Sequence, residues 1–207
     1  MTNTAKRLLT SGALVAVFVA AAYFGLIRWL AVAIATGMCA EVIICKIRTK
    51  TKCSVVHYSL FIVYCSLFIG AAYAVGAKPG IMLLLLMIIA AADTGAWFFG
   101  RLIGGDKMWE NLSKGKTWSG QIAGILCGTM AGVMYGLLPE DVFLPSLMWI
   151  GMGVALLSQY GDLAASAIKR RFGIKDFGNY LPGHGGLTDR FDGWILVLPV
   201  IWLATQG

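Results

Sequence analysis

Seven long apolar runs fill this chain, with only short polar breaks between them. They lie at about residues 11–27, 29–45, 54–77, 81–103, 121–138, 145 towards 171, and 191–205. A bilayer core is about 30 Å thick and takes roughly 20 apolar helical residues to cross. Runs of this length, one after another, predict an all-α, polytopic integral membrane helix bundle of about seven transmembrane helices. Composition agrees, since 58% of residues are hydrophobic and only 13% charged. A basic start and small residues at Ala20–Ala22 resemble a signal peptide, but the next apolar run follows almost at once.

The net charge of +7 would suggest nucleic acid in a soluble protein. In a membrane protein it reports basic cytoplasmic loops. With the N-terminus cytoplasmic, fifteen of the 17 Lys and Arg fall on that side, leaving Arg28 and Lys78 on the other. This bias places both polar loops, 104–120 and 169–190, in the cytoplasm, and no nucleic acid partner is expected. The chain reads as a single membrane domain over 1–207, with N-terminal helices over 1–80. The five cysteines form no CxxC and no metal-ligand spacing, and read as small packing residues.

Polar chemistry is concentrated in Gly161–Asp192. These residues hold four of the ten acidic side chains, five of the 17 basic ones and one of the two histidines. Polar groups beside a bilayer are expensive to hold, so such a cluster marks a functional site. Asp162, Ser166 and Lys169 are spaced i, i+4, i+7 and share one helix face. That face suits a metal-bound phosphate, or is simply a helix end facing water. Pro182-Gly183-His184-Gly185-Gly186 can adopt positive φ and offer successive backbone N–H groups to an anion; a flexible turn is the plainer reading. Asp189 and Asp192, at i and i+3, open the last run. They could share a hard divalent cation with Asp162, or favour a helix N-terminus. Asp93 lies deep in an apolar run and is expected to face the bundle interior, towards Lys116 or substrate. Glu41, near a helix end, reads as a residue that snorkels or pairs with a basic neighbour.

Ser166-Ala-Ile-Lys169-Arg170, Lys175-Asp176 and Leu181 to Asp192 together resemble the signature of the phosphatidate cytidylyltransferases, or CDP-diacylglycerol synthases, over 27 residues. Asp93-Thr94-Gly95-Ala96-Trp97 and Gly100-Arg101 are similar to the family's intramembrane Asp segment. Ser113 to Gly120 is similar to its Ser-Pro-Lys-Lys-Thr-x-Glu-Gly loop. The sequence departs from the pattern at Lys114, Gly115, Ser119 and Ala165, which bears on how the CTP phosphates are held. The likeness covers about residues 90–200, which by this resemblance would form the catalytic core, and the chain is expected to be short for the family by one or two N-terminal spans.

The resemblance implies that CTP and phosphatidic acid give CDP-diacylglycerol and pyrophosphate. It further implies Mg²⁺, with a second cation, at Asp162, Asp189 and Asp192. Lys169, Arg170 and Arg190 would bind the lipid phosphate or leaving pyrophosphate, and Ser113 and Lys116 would hold CTP. Ser166, Gly185 and Gly186 would line the substrate site, with His184 binding phosphate or moving a proton and Asp93 in support. The expected setting is a bacterial inner membrane, with the active site facing the cytoplasm. Membrane lipids, and as an open option a second copy of the chain, are the other partners. The alternatives are a CTP-dependent lipid-alcohol kinase, transferring the γ-phosphoryl group, and an ion-binding membrane transporter.

Overall fold

The computed structural model describes residues 13, 16–21, 23–49, 55–109, 113–137, 144–178 and 185–206. The structure is mostly helical. After helical residues 16–21 come α1 (Ile27–Thr49), α2 (Val55–Gly76), α3 (Pro79–Ile103), α4 (Trp118–Gly136), α5 (Leu144–Arg171), a single turn α6 (Thr188–Phe191) and α7 (Trp194–Ala204). Among the described residues, three stretches, Ile27–Thr49, Ser59–Gly76 and Pro79–Ile103, are long and apolar enough to cross a membrane.

Two differences from the sequence reading stand out. The 104–120 segment is not only loop. Strands β1 (Lys107–Trp109) and β2 (Ser113–Thr117) pair antiparallel, with Lys107 opposite Thr117 and Trp109 opposite Ser113. Gly104 and Gly105, both at positive φ, end α3 and turn the chain into this hairpin. Thr117 then caps α4 by accepting the Gly120 N–H. The all-α expectation is corrected to that extent. The last run is also shorter as a regular helix, because α7 has 11 residues. Yet Leu187, Asp192 and Gly193 all keep right-handed helical dihedrals. The path from Thr188 to Ala204 is therefore nearly one helix, about 25 Å long at 1.5 Å per residue.

The chain divides into two units, Met1–Pro79 with Ile168–Gly207, and Gly80–Ala167. In the first, α1 packs along α2, α2 along α7, and α6 lies against α1. Pro199 sits inside α7 and has no N–H to give the Ile195 carbonyl one turn back. The Tyr64 hydroxyl of α2 donates to that carbonyl at 2.6 Å. The Tyr64 ring stacks on fully buried Phe68, so one aromatic pair both packs α7 and satisfies its broken ladder.

In the second unit, α4 carries its small residues inward. Gly120, Gly124, Gly128, Gly132 and Gly136 recur every fourth position and are all buried. A Cβ on Gly128 would lie 2.7 Å from that of Ala155 on α5 and 3.2 Å from that of Ala92 on α3. Only hydrogen fits there, and the helix backbones approach accordingly. The opposite face reads Ile122, Leu126, Met130 and Met134, exposed by 58%, 60%, 63% and 61%. Small residues inside and large apolar ones outside invert the pattern of a soluble helix.

The Tyr64 bond yields a prediction. Tyr64→Phe should destabilise the detergent-solubilised protein by about 1 kcal/mol. In a Pro199→Ala background, where the new alanine supplies the missing N–H, the same change should cost much less. A thermal-unfolding double-mutant cycle measures the difference; equal losses in both backgrounds would show that the hydroxyl does not replace the absent N–H.

Candidate active site

In the unit 80–167, the hairpin strand β2, α3, the start of α4 and α5 surround a cleft of about 340 Å³. Its polar lining includes Asp93, Ser113, Lys116, Gln121, Gln159 and Asp162. Lys116 reaches across from β2 to α5. Its ammonium lies 2.6 Å from Asp162 Oδ2 and donates to the Gln159 carbonyl at 3.4 Å. Both side chains of the pair keep some exposure, 24% for Lys116 and 34% for Asp162. Asp93 comes from the middle of α3 and makes no hydrogen bond or ion pair among the described residues. Two carboxylates and one ammonium leave this cleft with an excess of one negative charge.

Two departures from the family pattern, Ser119 and Ala165, fit this local structure. Ser119 donates to the Gly104 carbonyl that ends α3, and pairs with the Thr117 hydroxyl at 3.1 Å. It thereby ties the hairpin base to the helix end. Ala165 is fully buried, where an acidic side chain would need a dedicated partner.

In the unit that contains 168–207, Asp189 is the organising acceptor. Its Oδ1 takes the Lys169 ammonium at 2.9 Å. Its Oδ2 takes the backbone N–H of Phe177 at 2.9 Å and of Gly186 at 3.0 Å. The pair is largely buried, 12% exposed for Lys169 and 6% for Asp189, and the Lys169 ammonium also lies over the Phe177 ring. Gly185 makes this possible, because it holds φ +80° and a Cβ there would press to 3.2 Å from Asp189 Oδ2.

The next two N–H groups are taken as well. Leu187 donates to Glu41 Oε1 at 3.0 Å and Thr188 to Glu41 Oε2 at 2.6 Å. The Thr188 hydroxyl bonds the Met38 carbonyl on the same helix as Glu41. Glu41 therefore neither snorkels nor serves mainly as a partner for a basic neighbour. It is 4% exposed and clamps α6 to α1. The successive N–H groups of residues 186–188 thus face the protein's own carboxylates.

The remaining expected residues are placed as follows. Ser166 is half-buried on α5, between Asp162 and Lys169 in sequence. Arg170 donates to the Ile174 carbonyl at 3.3 Å, Arg190 is exposed, and Asp192 Oδ1 accepts the Gly193 N–H at 3.0 Å. Pro182, Gly183 and His184 lie outside the described residues. Among the described residues no three His, Cys, Asp or Glu side chains form a group able to hold a metal ion. Asp162 belongs to one unit, Asp189 and Asp192 to the other, and Asp189 already accepts three donors of its own. Glu41, Gln121 and Gln159 are the polar participants that spacing did not single out as site residues. The available signal was a polar side chain inside an apolar helical run.

The sequence pattern described as "Cytidylyltransferase family" matches residues 2–206. The phosphatidate cytidylyltransferase of Staphylococcus saprophyticus is 40% identical over 121 residues, covering 58% of this chain and 46% of that protein. Those of Staphylococcus epidermidis and Staphylococcus aureus are 41% and 40% identical, over 123 and 126 residues, with the same shares. The chain thus spans just under half the length of these curated relatives.

Removing the Glu41 carboxylate tests the clamp. Glu41→Ala leaves the Leu187 and Thr188 N–H groups without their acceptors, an expected loss of about 3 kcal/mol. Hydrogen exchange should accelerate at those two amides first, with a smaller effect for Glu41→Gln, which keeps one acceptor oxygen. Unchanged exchange at 187 and 188 would show that the clamp does not hold in solution.

Proposed function

The chain belongs to the cytidylyltransferase family, and from that membership we propose that it makes CDP-diacylglycerol from CTP and phosphatidic acid, releasing pyrophosphate. The observation that carries this reading is the Lys116–Asp162 pair at the cleft, with Asp93 beside it and Ser113 on the same wall. An ammonium held by a carboxylate, next to a second carboxylate that no described residue pairs, suits a nucleotide triphosphate arriving with its cation.

Reactivity follows from the substrates. An oxygen of the lipid phosphate attacks the α-phosphorus of CTP. The bond from that phosphorus to the bridging oxygen breaks, and pyrophosphate departs with the electron pair. The nucleophile is already anionic, so no strong general base is needed. Charge accumulates on phosphoryl oxygens, and fixed donors aimed there do most of the work. Lys116 and Ser113 would hold the triphosphate. Arg170 and Arg190 would meet the lipid phosphate or leaving pyrophosphate, while Lys169 fixes Asp189, and through it Phe177 and Gly186.

The donor set fits Mg²⁺ at the cleft. Hard oxygen ligands from one or two carboxylates, completed by substrate phosphates, are what that ion takes, and Asp162 with Asp93 supplies them. Bound there, the ion would neutralise triphosphate charge. Asp189, with three donors already on its carboxylate, fits better as the anchor of the Gly186 turn than as an open ligand.

The inside-out face of α4 supports more crossings than the three stretches that are long and apolar enough by themselves. Seven crossings with a cytoplasmic N-terminus agree with the distribution of basic residues. Both polar segments would then face the cytoplasm of a bacterial inner membrane, open to CTP from water and to lipid from the side.

The test uses detergent-solubilised protein with CTP labelled on the α-phosphate, phosphatidic acid and Mg²⁺. Label should enter the lipid fraction. Asp162→Asn, which keeps shape but loses charge, should lower that rate by about 100-fold. If γ-phosphate label instead reaches a lipid alcohol, the protein is a kinase. If no label enters lipid with folded protein, the reading fails.

A further inference from the structure

Gln121 at the start of α4 and Gln159 on α5 both line the Lys116–Asp162 cleft, and they are only 7% and 4% exposed. A glutamine amide carries two N–H donors and an oxygen that accepts twice. Gln159 Nε2 donates to the Gln121 backbone carbonyl at 3.3 Å. A carbonyl can only accept, so the NH₂ end of Gln159 must face it and Oε1 must face away. Neither that oxygen nor the Gln121 side-chain amide has a hydrogen-bond partner among the described residues. Buried polar groups are rarely left in this state unless a ligand or ordered water completes them.

We propose that these two amides read the base of the nucleotide, with Gln159 Oε1 selecting cytosine through its 4-amino group. This rests on the cytidylyltransferase reading and extends it from the phosphates to the base. Cytosine presents an amine donor at position 4 beside the N3 and O2 acceptors. Uracil presents an oxygen acceptor at position 4 beside an N3–H donor. A fixed acceptor complements the first and repels the second. Because the Gln121 carbonyl pins the Gln159 amide, that amide cannot rotate to accommodate uracil. Gln121 is not pinned in this way, and its amide donates to N3 or O2. Trp97, over whose ring the Arg101 guanidinium lies, lines the same cleft and adds an aromatic surface of the kind that bases stack on. The volume lies within the range of small-molecule sites.

Discrimination of this kind comes from leaving a buried group unpaired with the wrong ligand. The measurement is equilibrium binding to the detergent-solubilised chain of four probes: CTP, UTP, a CTP analogue with hydrogen in place of the 4-amino group, and inorganic tripolyphosphate. Wild type should bind CTP about tenfold more tightly than UTP or the deamino analogue, with tripolyphosphate weakest. Gln159→Leu should weaken CTP binding about tenfold, so that CTP and UTP become nearly equal, and should leave tripolyphosphate unchanged. If the wild type binds the deamino analogue as tightly as CTP, or tripolyphosphate as tightly as CTP, the amides are satisfied by water and the proposal is overturned while the cytidylyltransferase reading survives. If the folded wild type binds neither CTP nor tripolyphosphate, the reading itself falls and takes the proposal with it. The analogue comparison needs no variant, so it decides the matter even if Gln159→Leu does not fold.

Discussion

Buried away from water, in lipid or in protein, a backbone N–H or C=O must find its partner within the chain, and every departure from a regular helix must bring its own. That constraint explains the least predictable contacts here. Pro199 breaks the α7 ladder, and Tyr64 supplies the donor that Ile195 lacks. The chain turns at Gly185–Gly186 before its last helical path, and the freed N–H groups of residues 186–188 go to Asp189 and Glu41. At the other polar segment, Ser119 covers the Gly104 carbonyl where α3 ends. The polar side chains of this chain are therefore not all available for chemistry. Some are committed to keeping irregular backbone satisfied.

Commitment separates the carboxylates that the sequence places together. An ionised carboxylate has about four lone-pair positions. Asp189 uses three, against one ammonium and two backbone N–H groups. Glu41 spends both oxygens on backbone N–H groups. Asp162 meets a single lysine and retains exposure, and Asp93 makes no such bond among the described residues. Charge alone would rank these four side chains equally. Hydrogen-bond occupancy distinguishes them: Asp93 and Asp162 keep the most acceptor capacity, while Asp189 and Glu41 take up the chain's own donors.

Much of the helical framework was legible in the sequence, because apolar run length is a direct consequence of the solvent. Runs at 29–45, 54–77, 81–103, 121–138 and from 145 appear as α1 to α5 within a few residues. α1 continues past its apolar part through Lys46 and Arg48, since basic residues are favourable at a helix C-terminus. The hairpin was not legible. Its strands are three and five residues long, too short for alternation to register, and they depend on the turn at Gly104–Gly105. Glu41 was misread for a related reason: its partners are backbone groups almost 150 residues away, and no local pattern encodes them. The signature between Ser166 and Asp192 points to the family without revealing which of its side chains the chain's own backbone engages.

The glycine face of α4 connects packing to the site. With hydrogen in place of side chains at Gly120, Gly124 and Gly128, α4 can approach Ala92 and Ala96 on α3 and Ala155 on α5. That closeness brings Gln121, at the top of α4, within hydrogen-bond reach of Gln159 on α5. It also leaves the wider space beyond Gly120 lined by longer side chains, Lys116 and Asp162 among them. Bulkier residues along this face would push the helices apart, parting the two amides and the ion pair without touching either. The site's polar geometry is thus set by residues that carry no polar side chain at all.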